Sequence, residues 1–116
     1  MATSVVVSVG NYEFLVVLPD KPGVREEQHA LNLIHFRDAA AFRDKGTWKT
    51  GGALLNDVPK DDKAESLDFF GSAFVVVAES VDKVREQFSQ DVYATAGVWD
   101  MEKIQIYPFR AVFRDP

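Results

Sequence analysis

His35 and Asp91 are the two residues whose types and positions best suit acid–base chemistry. The chain has two histidines, His29 and His35, and no cysteine. Histidine is the side chain that most readily takes up and releases a proton near neutral pH. A carboxylate such as Asp91 orients an imidazole through one ring nitrogen and leaves the other as a general base. Asp38, three residues after His35, is a rival orienting carboxylate, because residues three apart are neighbours on a helix.

A base of this kind suits removal of a proton next to a carbonyl group or an enone. The reactions that follow are isomerisation, dehydration, elimination of HX or cyclisation. The alternative is structural: His35 is then a buried, hydrogen-bonded histidine that ties its helix to the segment beginning at Asp91. His29 is interpreted as a surface or interface residue. His35 and Asp91 are too few ligands for a zinc site and the chain has no thiolates, so we predict neither a metal nor a cofactor.

The composition is that of one globular domain. The chain has 116 residues, of which 47% are hydrophobic and 27% charged, and this size can bury a core without disulfides. We predict a single domain over residues 1–116, with residues 1–10 as an extra N-terminal segment or strand. The net charge of −5 argues against nucleic-acid binding, which depends on Lys and Arg neutralising phosphates. The N-terminal segment lacks the charge and apolar length of a signal peptide or membrane span, so we expect a soluble, cytoplasmic protein without membrane contact.

The predicted elements follow the order strand, helix, strand, strand, helix, strand. This is the plan of an α+β, ferredoxin-like βαββαβ fold, an antiparallel sheet with helices on one face. Residues 91–97 are predicted to be a connector, and Pro108 should lie at a bulge or a sheet edge because proline lacks an N–H. Residues 5–9 are a further candidate strand. The predicted strands cover residues 12–18, 47–55, 69–78 and 101–113, and the helices cover residues 24–45 and about 80–90.

The first helix has two stripes that could face the sheet, and the pattern alone does not choose between them. One stripe is Gln28, Asn32, His35, Ala39 and Phe42, and the other is His29, Leu33, Phe36 and Ala40.

The strands alternate so that both faces of the sheet are apolar. Two helices can cover only one face of a four-stranded antiparallel sheet, and the other face is too apolar to be left in water. We therefore predict a homodimer formed through these sheet faces. In the first strand Leu15 and Val17 point to the face opposite Tyr12, Phe14, Val16 and Leu18, and in the third strand Ala73, Val75 and Val77 point to the face opposite Phe74, Val76 and Ala78.

Several segments, in this order and spacing, resemble the YCII-related family, small proteins of the dimeric α+β barrel superfamily. The resemblance covers residues 12–113, and the combination is most similar to fungal members. The segments that carry it are Glu13-Phe14-Leu15-Val16-Val17, Pro19-Asp20-Lys21-Pro22-Gly23, the helix with His35, Gly46-Thr47-Trp48-Lys49-Thr50-Gly51-Gly52, Phe70-Gly71-Ser72, Asp91-Val92-Tyr93, Ala96-Gly97-Val98-Trp99 and Pro108-Phe109.

The resemblance implies that His35, rather than His29, and Asp91 are the catalytic pair proposed for the family. Two positions depart from the family pattern. In the family an arginine usually precedes the histidine by three residues, and Asn32 stands at this position. The chain therefore lacks the guanidinium group that could bind an anion with two hydrogen bonds. Val92 replaces the proline that usually follows the aspartate.

Further residues are candidates for contact with a substrate. Gly51 and Gly52 lie inside a predicted strand, where paired glycines mark a bulge or a close approach to the backbone. Aromatic side chains could line an apolar pocket, although such residues are more often part of the core. The candidate substrate-binding residues are Asn32, Trp48, Gly51, Gly52, Phe70, Tyr93 and Trp99.

We therefore predict a small cofactor-free enzyme, a lyase or isomerase with His35 as general base, acting on a small carbonyl-bearing or aromatic metabolite. The similarity to fungal members implies a step in secondary metabolism. The alternative is a non-catalytic small-molecule-binding or dimeric scaffold module, in which His35 and Asp91 form a structural pair. DNA binding is disfavoured by the charge.

Overall fold

The protein folds into a four-stranded antiparallel sheet with helices packed on one face. The computed structural model describes residues 10–115; the candidate strand at residues 5–9 lies outside them. The strand order β2-β3-β1-β4 and the element order confirm the predicted ferredoxin-like plan. The main elements are β1 (Tyr12–Pro19), α1 (Arg25–Asp44), β2 (Trp48–Leu55), β3 (Phe69–Ala78), α2 (Val81–Ser89), α3 (Val92–Thr95) and β4 (Gln105–Phe109).

The ends of the two long helices follow from local sequence. Gly46, just after α1, has a φ of 76°, a left-handed conformation that costs glycine little and other residues more. The Ser80 side chain accepts a hydrogen bond from the Lys83 backbone nitrogen at 3.2 Å, so Ser80 caps α2.

The core lies between the sheet and the helices. Alternate residues of the central strands, such as Val16, Leu18 and Val76, are fully buried on this face. Phe88 of α2 closes the core from the helical side, and Trp48 of β2 stacks on it with ring centroids 4.8 Å apart. Burial of large aromatic side chains supplies most of the apolar contact that holds α2 and β2 together.

The opposite face of the sheet is also apolar, and no described helix covers it. Leu15, Val17, Ala73 and Val77 are only partly buried there. Glu13, at the end of this face, is 9% exposed and forms an ion pair with Arg114. These residues define the outer sheet face, on which the homodimer prediction rests.

Two predicted segments differ from the structure. Residues 91–97 are not a plain connector, because they contain the short helix α3. The last strand is shorter than predicted: it begins at Gln105, opposite Val17, and ends at Phe109, opposite Glu13. Phe109 already lies opposite the second residue of β1, so among the described residues little of that strand remains for β4 to pair with. Within the described part of the chain β4 is a sheet edge, which is where Pro108 was expected.

Candidate active site

The face of α1 that carries His35 packs against the sheet. His35 is the one fully buried residue of α1, with 5% of its surface exposed. Leu33 and Phe36 are 79% and 60% exposed, so their stripe points outwards. The stripe of Gln28, Asn32, His35, Ala39 and Phe42 is therefore the one that faces inwards.

His35 and Asp91 form a buried dyad. Nδ1 of His35 lies 2.9 and 3.1 Å from the two carboxylate oxygens of Asp91. Asp91 is 3% exposed, and one of its oxygens also accepts from the Tyr93 backbone nitrogen at 2.9 Å, as the cap of α3. An ionised carboxylate only accepts hydrogen bonds, so the Nδ1 that faces it carries the proton. Nε2 is then the basic nitrogen, and none of residues 10–115 bonds to it.

The rival carboxylate does not reach the imidazole. Asp38 forms an exposed ion pair with its neighbour Arg37, with nitrogen and oxygen 3.6 Å apart. The orienting role therefore falls to Asp91.

Aromatic rings fix the plane of the imidazole. Tyr93 stacks on His35 with centroids 4.1 Å apart and planes at 16°. Trp99 and Phe74 meet it edge-on, at 5.3 and 6.4 Å. The Tyr93 hydroxyl donates to the Gln28 carbonyl oxygen of α1 at 3.1 Å, which joins α3 to α1. Such packing leaves the ring little freedom to rotate.

The phenol of Tyr93 is held in its neutral form. Burial raises the pKa of Tyr93 to about 12, and the negative charges of Asp91 and Asp20 add to the effect. Tyr93 therefore stays a hydrogen-bond donor throughout the physiological range.

A cavity of about 500 Å³ opens beside His35, between α1 and the β2–β3 half of the sheet. This volume is in the range of small-molecule sites. Most of its lining is apolar, with a few polar groups, and Arg43 and Lys49 lie along it. Its lining residues include Asn32, His35, Trp48, Ser72, Phe74 and Tyr93.

The structure brings five of the seven predicted substrate-binding residues to this cavity: Asn32, Trp48, Gly51, Gly52 and Tyr93. Phe70 and Trp99 do not line it. Trp99 is fully buried behind the imidazole. Phe70 is 42% exposed, and Phe69 lines the cavity instead, next to a register shift between Leu54 and Leu55 that disturbs the strand alternation.

The group that approaches the backbone closely at the paired glycines is a side chain of the protein itself, the Phe74 ring, rather than a ligand. A Cβ placed on Gly51 would lie 2.5 Å from Cδ1 of Phe74, whereas one on Gly52 would meet nothing within 4 Å. The bulge in β2 lies nearby, between Trp48 and Thr50. Gly51 therefore gives the Phe74 ring its place beside the cavity.

Sequence reasoning missed several lining residues. Ser72 was part of a recognised segment but was given no role. Ala64 and Leu67 come from the loop after β2, whose length was the only signal that it takes part in a site. Within residues 10–115 there is no cluster of three residues able to hold a metal ion. No helix in that same range is long and apolar enough to cross a membrane.

Comparison with protein families decides the relationship suggested by the motifs. The model of the YCII-related domain matches residues 12–110. The chain belongs to the YCII-related family. Among its relatives is the fusaric acid biosynthesis protein 2 of Gibberella fujikuroi, which is 31% identical over 99 residues, covering 85% of this chain and 93% of the relative. The homologous protein of Gibberella moniliformis is 30% identical over the same length.

One relative contains this domain within a longer chain. The aspartate kinase FUB3 of Fusarium oxysporum f. sp. lycopersici is 33% identical over 98 residues, and the match covers 84% of this YCII-related chain but 18% of the kinase. This chain thus corresponds to about a fifth of that relative.

A solved structure shares the fold. It is the 5-chloro-2-hydroxyhydroquinone dehydrochlorinase TftG from Burkholderia phenoliruptrix AC1100, in complex with 2,5-dihydroxybenzoquinone. The TM-score is 0.70 at 22% identity, over 84% of this chain and 93% of TftG. At this identity the likeness establishes the fold.

Proposed function

We propose that this YCII-related protein is a cofactor-independent lyase or isomerase that uses His35 as a general base. One observation carries the proposal: a buried Asp91 holds Nδ1 of His35 at 2.9 Å while the imidazole lines a ligand-sized cavity. A histidine fixed in one tautomer and placed against a cavity has the geometry that base catalysis requires.

The chemistry follows from the free nitrogen. Nε2 takes a proton from a carbon next to a carbonyl, and the C–H electron pair becomes a carbon–carbon double bond as the carbonyl electrons move onto oxygen. Collapse of this enolate with loss of a leaving group completes an elimination. Return of the proton to a different carbon completes an isomerisation. Asp91 stabilises the imidazolium that forms in between.

The relatives support a substrate that is a small metabolite. Two are named for fusaric acid biosynthesis, and the structural neighbour is a dehydrochlorinase with a hydroxylated quinone bound. A small carbonyl-bearing or aromatic compound of secondary metabolism fits both the names and the apolar cavity.

A second function has its own support. Tyr93, Trp99 and Phe74 enclose the imidazole, as they would in a histidine that only stabilises the core. In this case the protein is a non-catalytic small-molecule-binding or dimeric scaffold module.

Substitution of each of the two histidines of α1 distinguishes the catalytic function from the non-catalytic one. Cyclic enones, lactones and halogenated hydroxyhydroquinones are offered to the wild type and to the His35→Ala and His29→Ala variants, with products followed by NMR. We expect turnover by the wild type and His29→Ala, and a loss of about 10²- to 10⁴-fold in His35→Ala with its circular dichroism spectrum preserved. A lower melting temperature in His35→Ala, with no compound turned over by any variant, supports the scaffold function instead.

We also propose that two copies pair through the outer sheet face. Partly exposed Leu15, Val17 and Val77 make this face apolar across the central strands.

A further inference from the structure

Ser72 holds an unused hydrogen-bond donor at the cavity. Its side chain is 6% exposed and lines the same cavity as His35. Nε1 of Trp99 donates to its oxygen at 3.2 Å. A serine hydroxyl carries one hydrogen to donate besides its acceptor capacity, and no residue in the described range accepts this hydrogen. Buried donors are nearly always satisfied, so a buried hydroxyl facing a cavity marks a place for an acceptor atom of a ligand.

The position of Ser72 relative to the base makes this donor relevant to the reaction. The Trp99 indole joins the two groups: its ring stands edge-on to His35, with centroids 5.3 Å apart, and its Nε1 holds Ser72. A ring held in the cavity can therefore present a C–H to Nε2 and an oxygen to the Ser72 hydroxyl.

The Trp99 bond also sets the direction of the Ser72 proton. Because the indole N–H occupies one side of the oxygen, the hydroxyl hydrogen points away from Trp99. The arrangement is prepared before a ligand binds, which is the condition under which a donor stabilises developing charge most effectively.

We propose that Ser72 is the donor that binds the substrate's carbonyl oxygen and stabilises the oxyanion formed when His35 removes the proton. This inference rests on the proposed function and narrows the substrate class to compounds in which an oxygen accepts a hydrogen bond a few bonds from an acidic C–H, such as enones and hydroxyquinones.

Binding of 2,5-dihydroxybenzoquinone, measured by calorimetry, tests this without requiring turnover. We expect Ser72→Ala to weaken binding about 10- to 100-fold, the range for a hydrogen bond to a charged oxygen. Ser72→Thr, which restores a hydroxyl, should recover most of the affinity. Ser89→Ala is the matched control, because it removes an exposed hydroxyl that does not line the cavity, so its affinity should equal that of the wild type.

Other results overturn the inference. A loss in Ser72→Thr as large as that in Ser72→Ala means that the hydroxyl does not hold the ligand. Unchanged binding in Ser72→Ala, or no binding by the wild type at millimolar ligand, would show that Ser72 is not the oxyanion donor. If Ser72→Ala does not fold, Ser72→Cys replaces it in the test. The cysteine sulfur still accepts weakly from Trp99, but its S–H is a poor hydrogen-bond donor to the ligand.

The two proposals fail in different ways. If Ser72 governs binding of the probe while His35→Ala changes no turnover, the donor is real and the base is not. If His35-dependent turnover persists in Ser72→Ala at the wild-type rate, the base is real and the donor is not.

Discussion

At the scale of single residues, the site depends on how Asp91 is held rather than on its charge alone. Its carboxylate accepts hydrogen bonds from the His35 ring nitrogen and from the Tyr93 backbone N–H, so it cannot rotate without breaking one of these bonds. The pairing of His35 with Asp91 could be predicted from the sequence, because the segments that carry the two residues resemble those of the YCII-related family. The capping bond was not predictable, because it requires the helix α3, which four residues barely signal.

Asp91→Asn should lower turnover by at least about 100-fold with little change in fold. The amide keeps an oxygen for the Tyr93 N–H but loses the charge that fixes the His35 tautomer and stabilises the imidazolium. Rates are measured on the best compound of the panel, with circular dichroism to check folding. Asp38→Asn is the control, because the Asp38 side chain is exposed and pairs with Arg37 rather than with His35. Equal rates in the two variants would contradict the orienting role of Asp91.

Tyr93 should make the protein lose stability at high pH. Its pKa is raised from 10.0 to about 12 in the folded state, so the folded protein binds the phenolic proton more tightly than the unfolded chain. This stabilisation is complete below about pH 10 and is lost as the pH rises through about 12.

Urea unfolding of the wild type and Tyr93→Phe at pH 9 and pH 11.5 measures this contribution. The free energy of unfolding should fall more steeply in the wild type than in Tyr93→Phe over this interval. Tyr107→Phe, whose ring is 51% exposed, should follow the wild type. Identical slopes for the wild type and Tyr93→Phe would show that Tyr93 is not held neutral by burial.

At the scale of elements, β2 shapes the cavity through one glycine. Gly51→Ala should destabilise the fold by about 1–3 kcal/mol, because its Cβ would overlap the Phe74 ring. Gly52→Ala adds the same methyl group into open space and should change stability by less than about 1 kcal/mol. Thermal or urea unfolding compares the two. A cost as large for Gly52→Ala would mean that strand propensity, not the Phe74 contact, explains the glycines.

The elements show where sequence reasoning succeeds and where it stops. The strand β3 and the helix α2 are marked by clear alternation and a capping serine, and both lie where they were predicted. The inward face of α1 was not predictable, because the stripe that faces outwards, with Leu33 and Phe36, is the more apolar of the two, and tertiary packing overrides the pattern. The length of β4 was not predictable from its own residues, because it depends on where its partner strand β1 begins, far away in the sequence. Phe70 was assigned to the pocket as an aromatic residue, and its position outside it was not predictable because the register shift at Leu54 has no local signature.

At the scale of the whole molecule, the two faces of the sheet have different tasks. One face forms the core and the site, and we propose that the outer sheet face pairs with a second copy. We expect light scattering at micromolar concentration to give twice the 13.0 kDa mass of one chain. Val17→Lys should produce a folded monomer, because it places a charge in the centre of this face.

Leu33→Lys is the control for the dimer. Leu33 is 79% exposed on α1, away from the outer sheet face, so this variant should stay dimeric. A monomeric wild type, or dissociation by Leu33→Lys but not by Val17→Lys, would rule out pairing through the sheets.

The central claim is that His35 removes a proton from carbon, and hydrogen–deuterium exchange measures this step before any product forms. A cyclic enone is incubated in D₂O and the loss of its α-C–H signal is followed by NMR. We predict exchange faster than in buffer with the wild type and with His29→Ala, and slower by about 100-fold or more with His35→Ala. Exchange at the wild-type rate in a folded His35→Ala variant would contradict the account.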